Sequence, residues 1–334
     1  SWVGDITMAT PLLRAIREAR PRATVAALLR PGLSDILSGT PWLNEIIEAP
    51  MRGWAGPWSG LARARGFGAD TALLLPNSMR SGLAALRLAP RRVGYSPQLR
   101  RWTLTDPLPA PARRRPTPAV DFYAALGEAL LGTSISDRRT QLFTSPEEEQ
   151  AADGLLGDLR SFILLNPGAN REDKRWPAER FASLGIKLLR EFGTARGKGI
   201  AVTGAPAERA LVARVAALIQ AEAGNDAVID LCSRGMALGP LKAVVRRASL
   251  LVTNDTGPRH LAAALGTPSV VFFGPTDHRW TTLPEEQSER DRLLVAEPFL
   301  PEPLQADDFV AVCRIDRISI EDALHAARRI LERA

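Results

Sequence analysis

Three stretches of this 334-residue chain combine residue types that could handle an anionic, sugar-like ligand. The first is TNDTGPRHLAAALGTP (253–268), where an apolar run gives way to Asp255-Thr256-Gly257-Pro258 and then to a helical pattern. Glycine lets backbone approach a ligand closely, and proline suits the first helical turn. The amides of that turn have no intrahelical partner and sit at the positive end of the helix dipole, which makes an anion site suited to a diphosphate. Asp255 could cap the helix or hold a sugar hydroxyl, and His260 either lines the site or packs in the core. The second stretch is NPGANREDKRWPAERFASL (166–184), with Asn166 and Gly168 in a small-residue turn and a charged loop after it. Lys174 in that loop is a compact cation on a flexible stem, suited to a departing diphosphate if it is not simply a surface lysine. Only four of the 43 basic residues are lysines (Lys174, Lys187, Lys198, Lys242), so one in this loop stands out. The third stretch is the turn Thr203-Gly204-Ala205-Pro206, just before Glu208. Near the N-terminus, Gly4-Asp5 reads as a loop opening a helix from Thr10, and Asp5 could serve as a general base or merely as a helix cap.

The elements that must position these residues follow from hydrophobic pattern. Short aliphatic runs alternate with helical-period segments, as in parallel α/β sheets. In the first half, 24–29 and 71–75 read as strands and 10–20, 78–88 and 119–131 as helices; the proline-rich 105–118 reads as a loop. In the second half, strands at 162–166, 199–204, 227–231, 250–254 and 269–274 alternate with helices near 177–192, 207–221, 238–247 and 258–265. This is a doubly wound sheet, and all three candidate turns lie at the carboxyl ends of its strands, where ligands bind in open α/β sheets. The segment 137–160 carries the junction, with Ser145-Pro146 as cap and first turn of a helix. Because SWVGD resembles a strand-to-helix loop with no strand ahead of it, we expect a first strand missing from this numbering.

Composition bounds the rest. The chain is 45% hydrophobic and 24% charged, without a low-complexity tract. No apolar run approaches the roughly 20 residues needed to span a bilayer, and no secretory signal opens the chain, so a cytoplasmic location is expected. Cys232 and Cys313 lack metal-ligand spacing and read as reduced core thiols, and no metal site is expected. The net charge is +6. Nine arginines against one acid, Asp106, lie between Arg80 and Arg115, a patch suited to phosphorylated or anionic partners unless it is only a solvated surface. Neither a G-x-G-x-x-G turn nor a G-x-x-x-x-G-K-[ST] loop is present, which argues against a nicotinamide oxidoreductase and against a P-loop enzyme.

Taken together, the chain resembles glycosyltransferase family 9, the ADP-heptose:lipopolysaccharide heptosyltransferases, and heptosyltransferase II-like members most. The segments that carry the resemblance run in order through SWVGDITMATPLLRAIREARP (1–21), LLLPNS (73–78) with RVGY (92–95), PGANREDKRWP (167–177), TNDTGPRHLAAALGTP (253–268) and FFGPTD (272–277). The resemblance implies a GT-B fold, two Rossmann-like doubly wound α/β domains facing a cleft. Residues 1–148 would bind the acceptor, 149–317 would bind the nucleotide-sugar, and a terminal helix at 318–334 would cross back to the N-terminal domain. It implies inverting, metal-independent transfer of heptose from ADP-heptose, a substrate rather than a cofactor, to a phosphorylated glycolipid of the lipopolysaccharide core, with the enzyme peripheral to the inner face of the cytoplasmic membrane and no nucleic-acid partner. By the match, Asp5 is the base and Lys174 contacts the donor diphosphate. Asp255, Thr256, Gly257 and His260 resemble its donor-site turn; Asn166, Gly168, Thr203 and Gly204, at the neighbouring strand ends, are expected to line the same donor site, and Arg91, Arg92, Arg100 and Arg101 are expected at the acceptor. The family's nucleoside-contacting acid after the third C-terminal strand is missing from DLCSRGMALG (230–239). A nucleotide-sugar epimerase, or a transferase for another donor sugar, is the alternative.

Overall fold

The computed structural model describes residues 2–50, 62–110, 117–193, 198–288, 290–298, 300–301 and 304–333. The chain divides into two units, Ser1–Leu142 and Phe143–Ala334. In the first, helices α1 (Val3–Met8) and α2 (Thr10–Ala19) precede strands β1 (Ala26–Leu29), β2 (Glu45–Glu48) and β3 (Thr71–Leu74). Helix α3 (Met79–Ala85), strands β4 (Arg91–Tyr95) and β5 (Asp106–Leu108) and helix α4 (Ala119–Leu131) complete it. The strands form two parallel sheets, β1-β2 and β3-β4-β5. Met8, Ala9, Tyr95, Val120, Tyr123 and Leu126 pack one apolar cluster, and Leu12, Ala124 and Ile135 another. Gly127 lets α2 close on α4, because a Cβ there would lie 2.3 Å from the Leu12 side chain.

Two expectations for this unit are corrected. The stretch 105–118 is not all loop: β5 lies within it, in register Val93↔Asp106 and Tyr95↔Leu108. Pro107 hides that strand from pattern reading, but an edge strand tolerates a proline whose missing N–H faces away from the ladder. The SWVGD segment is not a loop either. Val3–Met8 is a helix continuing almost directly into α2, and Asp5 lies in its first turn, where its carboxylate accepts the Trp2 N–H at 3.2 Å.

The second unit runs α5 (Pro146–Leu156), β6 (Ser161–Asn166), α6 (Ala178–Phe192), β7 (Lys198–Val202), α7 (Arg209–Ala223) and β8 (Val228–Asp230). It continues α8 (Leu238–Arg247), β9 (Leu250–Asn254), α9 (Gly257–Leu265), β10 (Ser269–Phe273), α10 (Glu285–Ser288), β11 (Asp291–Val295) and α11 (Ile320–Leu331). Its six strands are parallel, in the order β11-β10-β9-β6-β7-β8. The chain steps outward from β6 through β7 to β8, then returns to lay β9 on the other side of β6. The switch point therefore falls between β6 and β9, and a crevice opens at their carboxyl ends. The chain joins this unit before α5, which is capped by Ser145 and Glu148. Glu148 pairs at 3.1 Å with the fully buried Lys242 of α8, which also donates to the Phe143 carbonyl at 2.9 Å.

The terminal helix α11 buries Ala323, Leu324, Ala327, Ile330 and Leu331 in the core of the second unit, with Phe181 and Phe272. The segment leading to it is fixed there by polar contacts as well: Trp176 Nε1 and Arg180 both donate to the Ile318 carbonyl, at 3.0 and 2.8 Å. An apolar stripe docks where it removes most surface from water, and this core supplies that surface.

Candidate active site

Strands β6 and β9 end level with each other, Asn166 opposite Thr253. At those ends two asparagines stitch the candidate turns together. Asn166, 3% exposed, donates through Nδ2 to Thr253 Oγ1 at 2.9 Å and to Thr256 Oγ1 at 3.2 Å. Asn254, fully buried, donates to the Pro167 and Gly168 carbonyls at 2.9 and 3.1 Å, and its Oδ1 accepts the Trp176 N–H at 3.1 Å. One amide thus grips the 167–176 loop at both ends. The Trp176 ring anchors the loop further, 4.4 Å from the Phe272 ring centroid and 5.3 Å from that of Phe181. Arg175 closes the loop on itself by donating to the Ala169 carbonyl at 3.0 and 2.8 Å.

This framework brings Lys174 to Asp255, Nζ to Oδ2 at 2.8 Å, with both side chains largely buried. Thr276 donates to the same oxygen at 3.2 Å, and the Arg259 guanidinium lies 4.0 Å from the other. Burial alone would raise the Asp255 pKa. The charge and hydrogen bond of Lys174, then Arg259 and His260, outweigh it and hold the carboxyl below its ordinary value. Arg259 is itself fully buried, pairing with Asp291 at 3.0 Å and lying over the Phe273 ring at 5.0 Å. Directly after Asp255, Thr256 is the N-cap of α9 and Gly257 its first residue, so the unpartnered amides of that turn begin beside the ion pair. A lysine ammonium has three protons; one serves Asp255, leaving two to meet an anion over the helix end. His260 is buried on the same helix, with its charge felt at Asp255.

The third candidate turn lies at the end of β7. Thr203 is 1% exposed, and its hydroxyl is buried without a partner among the described residues. Gly168 and Gly204 flank the Glu208 carboxylate closely. A Cβ on Gly168 would fall 2.0 Å from Glu208 Oε2, and one on Gly204 would fall 2.8 Å from Val212. Glu208 also accepts the Ala205 N–H at 2.8 Å. An acid absent from the loop after β8 is therefore present one strand nearer the crevice. Cys232, a free buried thiol, donates to the Gly204 carbonyl at 3.2 Å, and burial raises its pKa.

In the first unit, Asp5 has a partner that motif reading did not find. Tyr123 of α4, 8% exposed, donates its hydroxyl to the Asp5 carboxylate; burial first, then the Asp5 charge, hold that phenol well above its ordinary pKa. It is one of only two tyrosines in the chain, a scarcity that was the available signal. The four expected acceptor arginines prove unlike one another. Arg100 is buried, its guanidinium donating to the Tyr95 carbonyl at 2.8 Å and to Asn77 at 3.3 Å, which ties the turn to the end of β4. Arg92 donates to the Thr103, Ala89 and Pro90 carbonyls, and Arg91 pairs with Asp106 at 3.1 Å. Arg101 is exposed. Carbonyl groups left at the ends of β4 and α3 need donors, and a guanidinium with five N–H groups satisfies several at once. Arg113, Arg114 and Arg115 lie outside the described residues.

Comparison with known proteins agrees with this architecture. The lipopolysaccharide heptosyltransferase 2 of Salmonella typhimurium is 27% identical over 84% of this chain and 82% of its own. Among solved structures, a glycosyltransferase family 9 protein from Veillonella parvula superposes with a TM-score of 0.81 at 24% identity, over 100% of this chain and 95% of that one. The ADP-heptose lipopolysaccharide heptosyltransferase II of Escherichia coli superposes with a TM-score of 0.80 at 24% identity, over 100% and 97%. Two Rossmann-like parallel units of this kind are the GT-B fold. The model of glycosyltransferase family 9 (heptosyltransferase) matches residues 61–297, which hold Lys174, Asp255 and both asparagines, and the chain belongs to that family.

Proposed function

We propose that this protein transfers heptose from ADP-heptose to a hydroxyl of a lipopolysaccharide core acceptor, by an inverting single displacement. The observation that supports it most is the Lys174–Asp255 pair set beside the N-terminus of α9, a buried cation and the Thr256 and Gly257 amides where a diphosphate would leave. The acceptor hydroxyl gives its proton to the Asp5 carboxylate as its oxygen bonds the anomeric carbon. The bond from that carbon to the diphosphate breaks, and ADP departs with the electron pair. Lys174 and the amides at Thr256–Gly257 stabilise the departing charge, and Asn166 holds Thr256 in place. Glu208, at the end of β7, is placed to accept from the nucleoside hydroxyls. We propose the transfer to be metal-independent, since Lys174 supplies the positive charge that a divalent ion would otherwise bring. The epimerase alternative falls with the family assignment.

The acceptor is amphiphilic, so we place the reaction at a membrane surface, on its cytoplasmic side. No described helix is long and apolar enough to cross a membrane, and the arginine-rich 80–115 region suits anionic lipid or phosphorylated sugar, with Arg101 as its candidate acceptor contact. The decisive experiment pairs thermal shift against ADP-, UDP-, GDP- and dTDP-sugars with a transfer assay on lipopolysaccharide core acceptors that carry no heptose or one. Stabilisation by ADP-heptose and addition of one heptose, undiminished by EDTA, are expected. Preference for another nucleotide, or turnover of the donor without an acceptor, would reject the reading.

A further inference from the structure

Two short elements of the first unit leave large apolar side chains in water. On α3 and its C-cap, Met79, Leu83 and Leu86 are 41, 54 and 45% exposed. Their spacing of four and three places them on one helical face. In the turn Gln98–Thr103, Leu99 and Trp102 are 70 and 84% exposed; three residues apart in a 3-10 turn, they share a face too. The two elements are pinned together. Gly82 of α3 sits so close to Thr103 that a Cβ would fall 2.2 Å from its hydroxyl, and Arg100 of the turn reaches Ser81 at 3.4 Å. Single exposed apolar residues are ordinary, but five on two joined elements form a patch.

The charges around the patch identify its occupant. Residues 79–102 hold six arginines and no acid. Arg100 and Arg92 bond uncharged oxygens, which leaves their charge in place, while Arg91 meets an acid, Asp106. A second copy docking on this face would bring like charges together, which costs affinity. An anionic bilayer answers both features, because it attracts arginines at its surface and accepts tryptophan and leucine at the headgroup level. We propose that α3 and the 98–103 turn form the membrane-docking surface of this enzyme, with Leu99 and Trp102 entering the lipid interface. Attachment through a few side chains is reversible, as an enzyme that must leave one acceptor for the next requires. The proposal deepens the membrane-surface reading above and depends on it for its role in catalysis.

The test uses the full chain and vesicles of phosphatidylethanolamine with about one-third phosphatidylglycerol, beside vesicles of phosphatidylcholine alone. Wild type should float with the anionic vesicles and fall away as salt rises from about 0.05 to about 0.5 M. The emission difference between wild type and Trp102→Phe should shift to the blue on binding. L99S/W102S should lose binding by about thirtyfold, its melting temperature and its transfer to a deacylated, water-soluble acceptor unchanged. Equal vesicle binding by the double variant would overturn the proposal. So would a wild-type dimer that the double variant disrupts while vesicle binding persists. Failure of both proteins to use the soluble acceptor would instead strike the transfer reading and leave the docking result standing.

Discussion

The two units treat their functional residues differently. In the second, the candidate donor site is buried and cross-braced: Asn166 and Asn254 hold two turns, and Lys174 and Asp255 neutralise each other before any ligand arrives. In the first, Asp5 rests on a short helix with one tyrosine against it, and the apolar side chains of α3 and the 98–103 turn lie open. A site that stabilises a departing diphosphate gains from donors fixed in advance, because nothing needs to reorganise as charge develops. A site that meets a large amphiphilic acceptor has to admit it from a surface, so its chemistry rests on few residues. Substitution of Asp5 should therefore strike turnover and spare donor binding, whereas substitution of Lys174 should strike donor binding and stability together.

The largest expected effect tests the first half of that contrast. Asp5→Asn keeps the shape and the Tyr123 contact but removes the base, so kcat should fall about 10²–10⁴-fold. Donor affinity by calorimetry should stay within about twofold, the whole loss being one of proton transfer. Turnover near wild type would reduce Asp5 to a helix cap. Lys174→Met comes next. Losing a preorganised donor at a developing anion typically costs about 2.7–4 kcal/mol, so kcat/KM should drop about 10²–10³-fold, with weaker ADP binding. Lys187→Ala, exposed on α6, should change neither. Matching losses from both lysines would remove the case for Lys174.

The same substitution sharpens the stability half of the contrast. Asp255 in the folded protein titrates below its ordinary 3.8, so its contribution to stability is present above that pH and is lost as pH falls through the folded pKa. Without Lys174, burial is opposed chiefly by Arg259 at 4.0 Å, and the folded pKa rises above 3.8. The sign then reverses: the variant carries an uncompensated charge at neutral pH, a cost of about 3 kcal/mol for a buried pair broken on one side, and regains stability as acid protonates it. Urea unfolding at several pH values between about 4 and 7 should show the deficit of Lys174→Met shrinking toward acid, and vanishing as a trend in K174M/D255N. A deficit independent of pH would show that Asp255 does not feel the lysine.

What the sequence made legible follows the same divide. The central strands β6, β9 and β10, buried on both faces, read as plain apolar runs, and LLVTN at 250–254 is β9 to the residue, whereas the less buried edge strand β11 escapes that reading. The strand-end rule then located Asn166, Gly168, Thr203, Asp255 and Thr256 at one edge of the sheet. Less visible were elements whose pattern is diluted: EIIE of β2 has charged ends, and β5 contains Pro107. Invisible were relations rather than residues. Nothing local says that the Asn254 amide grips both ends of a loop far along the chain, that Arg100 is tied to a buried carbonyl, or that α11 completes the second core. Each is decided by which surfaces meet, and a periodicity reports only that a surface exists.

Tyr123 gives the smallest effect and the finest test of the contrast. Its ring is packed in the cluster of α1 and α4, and its hydroxyl meets the Asp5 carboxylate. Tyr123→Phe keeps the ring and removes the hydrogen bond, so folding should survive with a loss of about 1 kcal/mol. If the bond only supported the fold, kcat and its pH profile would stay put. If it aims the base, kcat should fall about three- to tenfold at unchanged donor KM. The acidic limb of the profile should also move toward higher pH, because a hydrogen bond donated to the carboxylate favours its charged form, and removing it makes the base easier to protonate. Since the first unit rests its chemistry on few residues, the loss should persist at saturating acceptor. Recovery to wild-type turnover at high acceptor concentration would assign Tyr123 to acceptor binding instead, and would move the acceptor pocket next to α4.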